Sequence, residues 1–451
     1  MFGRAVREKS LRFTSIKKKL RWWTKKMELT VQNTEHLEGV VSAPPSKAYT
    51  HRMLIATSLS NGTSLIHNPL ISDDTQATLE AVKALGATTK LNKNCWTIDG
   101  AEQPLTPSKP IDCRESGSTL RFMIPVAALA AGSSMFLFEA SFERRPVAPL
   151  LESLKELGVE SNIQRDVSSV SVGGGGIRGG KTSIRGDVSS QFISGLLFAC
   201  PKAKADTEIS VTTKLESKSY VEMTLEVLGK HGIKSSVDHD FSRLRIPANQ
   251  SYRPCDHAVP GDFSSAAFLF AAAAVTSSTV TVNGLDYQIS QGDKKIVDIL
   301  EKMGASIKIG DNSVEVTGKP LVGINIDAKD IPDLVPVCAV LACYSEGRSE
   351  IFNAKRLRYK ESDRLASIST ELQKMGADIT VNEDGLTING ACPFHGTTVD
   401  PHNDHRIAMA CAVAALGAKG ETKIQNVECI NKSYPQFFDD LRLIGANVVG
   451  I

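Results

Sequence analysis

The sequence has no CxxC pair, no apolar run long enough to cross a membrane and almost no net charge. Its nine cysteines are scattered and odd in number, which excludes a disulfide framework or a zinc ribbon and points to reduced thiols. Without a stretch of about 20 apolar residues there is no spanning helix, and the start of the chain lacks the apolar core of a secretory signal. A formal charge of +2 over 451 residues excludes a global attraction to nucleic acid. His402 and His405 are three apart beside Asp404, but no third ligand cluster accompanies them, so neither a metal nor a cofactor is expected. What remains is a cytoplasmic enzyme, large enough for two domains with sizeable cores.

Charge is uneven at one place. Residues 1–26 hold ten Lys or Arg, among them Lys17, Lys18 and Lys19, against the single acidic Glu8. Such a segment reads as an upstream start, a basic arm or a transit peptide. It is expected to be disordered and is excluded from the fold, which begins at Met27.

What the chain does have is a repeat. Gly86, Gly158, Gly232, Gly304, Gly376 and Gly445 each follow an amphipathic helix pattern and precede a strand-like run, at intervals of 72, 74, 72, 72 and 69 residues. A unit of that length is a compact α/β module and not one turn of a helical solenoid. Each copy also holds a helix apolar on nearly all sides, such as 119–131, 192–200, 265–275, 334–343 and 406–416, and such a helix must be interior. Pro44-Pro45 and Tyr252-Arg253-Pro254 are the expected joints. They divide the chain into a domain of repeats one to three, 45–254, and a domain of repeats four to six, 27–44 with 255–451.

The residues at the helix starts carry the functional signal. Ser, Asp and Pro there are ordinary start signals, but Lys47, Arg145, Lys360, Arg364, Arg406 and Lys432 are not. A helix N-terminus is already partly positive, so cations gathered there call for anionic ligands. One decoy needs separating. Gly175 to Thr182 satisfies the GxxxxGK[ST] phosphate-loop pattern, yet Gly186 interrupts any following helix, and a glycine-rich hairpin is expected instead.

Several motifs together resemble the 5-enolpyruvylshikimate-3-phosphate (EPSP) synthase family from about Met27 onward. They are Ser46-Lys47 with Arg52, Ser116-Gly117-Ser118 with Arg121, Arg145-Pro146, Ser189-Ser190-Gln191, Ser217 to Tyr220, Asp333, Lys360 to Arg364, Asn403 to Arg406, and Lys432. The resemblance implies a two-domain inside-out α/β barrel of six βαβαββ repeats, three per domain, with the active site in the cleft between domains that close on their ligands. It implies transfer of the enolpyruvyl group of phosphoenolpyruvate to the 5-hydroxyl of shikimate 3-phosphate, by a monomer needing neither nucleic acid nor membrane. Phosphoenolpyruvate is then expected on Lys47, Gly117, Arg145, Gln191, Arg364, Arg406 and Lys432. Shikimate 3-phosphate is expected on Lys47, Ala48, Arg52, Ser189, Ser190, Gln191, Ser217, Tyr220, Asp333 and Lys360. Asp333 is expected at the 5-hydroxyl and Glu361 at the methylene carbon, with Lys47 and His405 supporting them. From the residues alone, the favoured readings are that Asp333 is a plain helix cap after Pro332 and Glu361 an ion-pair partner of its neighbours.

Two departures stand out. Ala48 occupies a position where the family usually has serine, and Arg114 one where glycine is common. The sister family, which transfers enolpyruvate to UDP-N-acetylglucosamine, usually carries a reactive cysteine where this chain has Ala140. A non-catalytic polyanion binder and an ATPase using Lys181 are the readings from other classes.

Overall fold

The computed structural model describes residues 27–139, Phe142 and 145–450; the basic segment 1–26 and Ala140 lie outside the described residues. Six four-stranded sheets of one design account for the repeat. In the second copy, Ile111–Asp112 runs parallel to Ser134–Leu137, which pairs antiparallel with Ser169–Val172, and Ser161–Gln164 closes the edge. Parallel neighbours need a crossover, and the helix Gly117–Ala127 supplies it. The amphipathic helix Ala148–Glu156 then leads into the hairpin. All six repeat glycines have positive φ, from 78° at Gly232 to 110° at Gly304, because each ends an amphipathic helix in the left-handed turn that glycine adopts without a Cβ penalty.

The buried apolar residues form two cores. One runs from Tyr49 to Val259 and the other joins Leu29 to Ala43 with Phe263 to Val448. Each lobe is built around three helices buried on nearly every side. They are Lys47–Ser58, Gly117–Ala127 and Ser190–Ala199 in the first, and Phe263–Val275, Val335–Tyr344 and His405–Leu416 in the second.

The chain crosses between lobes by exchanging strands. Glu38–Ser42 precedes the first interior helix but pairs parallel with Thr279–Asn283 of the second lobe. His257–Ala258 precedes the helix Phe263–Val275 but pairs parallel with Thr63–His67 of the first. The return crossing therefore lies between Val259 and Phe263, beyond the Tyr252-Arg253-Pro254 stretch. That stretch is held in the first lobe, where the Tyr252 hydroxyl donates to Phe198 O at 2.7 Å. The two crossings touch, with Ser46 N–H donating to Pro260 O at 2.8 Å and Asp262 N–H to Pro44 O at 2.9 Å. The last sheet is completed by the start of the chain, since Leu29–Gln32 lies between Glu421–Ile424 and Val448–Val449.

The glycine-rich stretch is not a hairpin. Gly180–Ile184 pairs with Thr207–Val211 in the sheet after that of Ser169–Val172, so the glycines turn the chain from one sheet to the next. Lys181 sits on that strand with its side chain 86% exposed, so the glycines lead into a strand and not into the helix that a phosphate loop requires. No helix among the described residues is long and apolar enough to cross a membrane.

Gly304 combines a φ of 110° with a neighbour that cannot yield, because a Cβ there would lie 3.0 Å from Pro320 O. Gly304→Ala is expected to lower stability by about 1–2 kcal/mol, read as an earlier urea midpoint at unchanged slope.

Candidate active site

Side-chain caps set the interior and flanking helices with their starts toward the cleft. Ser46 accepts from Tyr49 N–H, Ser116 from Thr119 N–H, Ser189 from Gln191 N–H, Asp363 from Ala366 N–H and Asp404 from Arg406 N–H. With these serines and aspartates satisfying the helix ends, the adjoining Lys47, Gln191, Arg364, His405 and Arg406 line the space between the lobes. Two adjoining cavities open there and share Arg121, Gln191, Tyr220, Asp333 and Lys360 as common wall.

Arg364 is the centre of the second lobe's wall. Its Nε donates to Asp404 Oδ2 at 2.8 Å, one Nη to Asp333 Oδ1 at 2.7 Å and the other to Glu361 Oε2 at 2.8 Å. It is 1% exposed, and Asp404 is 0% exposed. Arg406 adds a contact to Asp333 Oδ2 at 3.1 Å, and Lys360 lies 3.8 Å from Asp333 Oδ1. Burial alone would raise both carboxyls, but Arg406, Lys360 and Arg364 outweigh it and hold Asp333 well below the usual carboxylate range. Arg364 and Arg145 do the same for Glu361. The plain helix-cap reading of Asp333 is thus replaced by a carboxylate held by three cations.

From the first lobe, Arg145 reaches across to Glu361 Oε1 at 3.4 Å and stacks on the Phe142 ring at 4.5 Å. Gly117 makes room for it, since a Cβ there would lie 2.4 Å from an Arg145 Nη. Lys47 pairs with Asp74 at 3.0 Å, and Lys432 with Glu115 at 2.6 Å. Lys432 stands behind the cavities and also donates to Asn403 O at 2.6 Å. Ser189, Ser190, Ser217 and Tyr220 line the first cavity, whereas Ala48 and Arg52 line the second. His405 is buried among Lys47 and Arg406, and burial first, then those cations, push it well below its usual value, so the ring is neutral. His402 turns away to Glu371 Oε1 at 2.8 Å and shares no site with it. Arg114 has a φ of 52°, in the left-handed region that glycine adopts without a Cβ penalty.

Two buried arginines differ from the rest. Among the described residues, Arg52 and Arg121 meet no carboxylate. Arg52 donates to Thr224 Oγ1, Ala48 O and Tyr220 O at 2.8–2.9 Å. Arg121 donates to Gln191 Oε1 at 2.7 Å and Pro146 O at 2.9 Å. Burial pulls Arg52 down to about 10 and Arg121 down to about 9. A buried guanidinium without a counter-ion costs several kcal/mol, by order of magnitude, so the cleft is built to receive anions.

Sequence reading gave Arg356 no role. It lines the first cavity, where it meets Glu216 and donates to Ser217 Oγ at 3.1 Å. Its only signal was a place four residues before Lys360 in a cation-rich run.

Replacing Arg364 by Met leaves one buried and two partly buried carboxylates without their common partner. The variant is expected to lose about 3–5 kcal/mol of stability at neutral pH. The deficit shrinks on acidification below about pH 5, because protonation relieves the uncompensated charge in the variant; urea unfolding across pH reads both.

The EPSP synthase (3-phosphoshikimate 1-carboxyvinyltransferase) family model matches residues 31–441. The chain is 42% identical over 426 residues to the 3-phosphoshikimate 1-carboxyvinyltransferase of Methanocaldococcus jannaschii, covering 93% of this chain and 99% of that one. It is 46% identical over 416 residues to the enzyme of the same name from Methanothrix thermoacetophila, covering 91% and 97%. Among solved structures, EPSP synthase from Acinetobacter baumannii superposes with a TM-score of 0.79 at 24% identity over 95% of this chain and all of that one. The enolpyruvyl transferase NikO from Streptomyces tendae does so with 0.76 at 19% identity over 95% and 99%. Those two likenesses are of fold. With the motifs gathered around one cation-walled cleft and the family model spanning nearly the whole chain, the protein belongs to the EPSP synthase family.

Proposed function

We propose that this chain transfers the enolpyruvyl group of phosphoenolpyruvate to the 5-hydroxyl of shikimate 3-phosphate, releasing phosphate. The observation that carries the reading is the pair of buried arginines without carboxylate partners, Arg52 and Arg121, facing a cavity walled by further cations. Both substrates carry a carboxylate and a phosphate, and only a cationic enclosure can hold them side by side away from water.

Shikimate 3-phosphate takes the first cavity. Ser189, Ser190, Ser217, Tyr220, Lys360 and Arg356 are grouped there, with Arg52 at its border through Tyr220. Phosphoenolpyruvate takes the second, against Lys47, Arg145, Arg364 and Arg406, with Gln191 between the two and Lys432 steadying the wall through Glu115. Arginine suits the task because its planar fork binds carboxylate or phosphate through two parallel hydrogen bonds.

Asp333, ionised, takes the proton from the attacking hydroxyl. Glu361 delivers one to the methylene carbon as the hydroxyl oxygen bonds its neighbour, giving a tetrahedral intermediate. Collapse then breaks the carbon–oxygen bond to phosphate, which leaves with the proton held by Asp333, while the methyl group returns a proton to Glu361 and the enol double bond is restored. Glu361 starts ionised because Arg364 and Arg145 lie on it. An arriving anion draws those guanidinium groups to itself, and the proton affinity of Glu361 rises as they leave. Lys47 and neutral His405 face Glu361 and are the groups from which its proton environment is adjusted.

Incubation with phosphoenolpyruvate and either shikimate 3-phosphate or UDP-N-acetylglucosamine, scoring phosphate release, tests the assignment. Release with shikimate 3-phosphate alone is expected; release only with the nucleotide sugar would overturn it. Ala48 lines the second cavity at its border with the first, beside the Arg52 that donates to Tyr220 O on the shared wall, and a hydroxyl there adds one hydrogen bond to a ligand reaching that border. Ala48→Ser is expected to lower KM for shikimate 3-phosphate about two- to tenfold, with KM for phosphoenolpyruvate little changed.

A further inference from the structure

One carboxyl beside the site has no part in the scheme above. Asp293 lies in the turn Gly292–Lys294 and is 0% exposed, and its Oδ1 has no hydrogen-bond partner among the described residues. Its Oδ2 meets the Ser264 hydroxyl and the Tyr220 hydroxyl, the latter at 3.3 Å. The same Tyr220 hydroxyl is 3.3 Å from Asp333 Oδ2.

Counting hydrogens decides how these contacts are made. A phenol has one hydrogen to donate, so it cannot serve two carboxylates. One of the two acids must therefore be neutral and donate to the Tyr220 oxygen. Asp333 is met by Arg364, Arg406 and Lys360 and is the ionised one. Asp293 makes no ion pair among the described residues. Gln291 Nε2 donates to Ser264 Oγ at 3.0 Å, which leaves the serine hydrogen for Asp293 Oδ2. The directions then run without conflict from Gln291 through Ser264, Asp293 and Tyr220 to Asp333. An unpartnered, buried Oδ1 also fits a neutral acid, because an ionised oxygen would be far more costly to leave unsolvated.

We propose that Asp293 is a positioning residue for the transfer: held as the neutral acid, it donates to the Tyr220 oxygen and so commits the Tyr220 O–H to Asp333 Oδ2. Asp333 then keeps its remaining lone pairs for the substrate hydroxyl. Burial and the adjacent Asp333 charge push Asp293 up to about 7 against the pull of Arg406. The charged or titratable groups facing it are Asp333, Arg406, Tyr220, Asp262 and the Cys338 thiol. Tyr220 and Cys338 are both pushed up, by burial first, and keep their protons. The arrangement is therefore present at low pH and is lost as pH rises through the Asp293 value, when a second negative charge appears beside the base.

The proposal rests on Asp333 acting as base in the transferase reading, and its test separates the two. Infrared difference spectra of the intact enzyme across pH are expected to show a neutral carboxyl band that disappears near neutrality and is missing in Asp293→Asn. No turnover enters that readout. In turnover, wild-type kcat is expected to fall on an alkaline limb. Asp293→Asn, which keeps a donor toward Tyr220, should flatten that limb and lose less than tenfold in kcat. Asp293→Ala should lose more than tenfold in kcat with KM for phosphoenolpyruvate nearly constant. Absence of the band, an alkaline limb unchanged in Asp293→Asn, or equal losses in the Asn and Ala variants would each overturn the proposal. A wild type inactive with shikimate 3-phosphate would instead overturn the transferase reading, with the infrared result still standing as a statement about Asp293.

Discussion

Arg364 holds three carboxylates at once, Asp404 fully buried and Asp333 and Glu361 partly so, and the wall of the cleft follows from that contact. Asp404 fixes the guanidinium at the start of the helix His405–Leu416, while Asp333 and Glu361 are drawn to its two remaining nitrogens. Each carboxylate would be costly to bury alone, as would the arginine. Together they satisfy one another in a single geometry, which sets Asp333 and Glu361 side by side on one wall of the cleft. Arg145 extends the same network to the other lobe through Glu361. The contact between the lobes and the ionisation of Glu361 in this way rest on the same ion pair.

Function grows from the charges that network leaves over. Arg52 and Arg121 are buried as deeply as Arg364 but have only neutral acceptors, so the protein carries a standing demand for anions on its first-lobe face. The strand exchange at the crossings explains how the two faces meet. Glu38–Ser42 and His257–Ala258 each serve the opposite lobe's sheet, and the helices Lys47–Ser58 and Phe263–Val275 begin just past the point where the crossings touch. Lys47 and Asp262 therefore stand at the rim of a shared joint. A movement about it changes the separation of the two walls without disturbing either core.

Much of this was legible in the residues. The six glycines report a backbone conformation, and their spacing exposes the repeat because only glycine closes each helix with positive φ cheaply. Lysines and arginines beside helix starts pointed to anions, and the motif order pointed to the family. Long-range pairing was not legible. Nothing local to Leu29–Gln32 says that it completes a sheet with residues some 390 positions away, and nothing in His257–Ala258 says that it belongs to the lobe being left. The phosphate-loop pattern misled in one detail, since a strand joining the next sheet was read as a hairpin arm. In the site, every Lys and Arg looks alike in sequence. Only geometry separates Arg364, saturated with carboxylates, from Arg121, which has none, and only geometry brings Arg356 and Asp293 beside Ser217 and Tyr220.

The most direct measurement is a crystal structure of the enzyme with shikimate 3-phosphate and an unreactive phosphoenolpyruvate analogue bound together. The expected result is an anionic ligand oxygen within hydrogen-bond distance of both Arg52 and Arg121, with Arg145 and Arg364 turned from Glu361 toward the analogue. Ligands seated elsewhere, with Arg52 and Arg121 still engaged only by Thr224, Tyr220, Gln191 and Pro146, would contradict it.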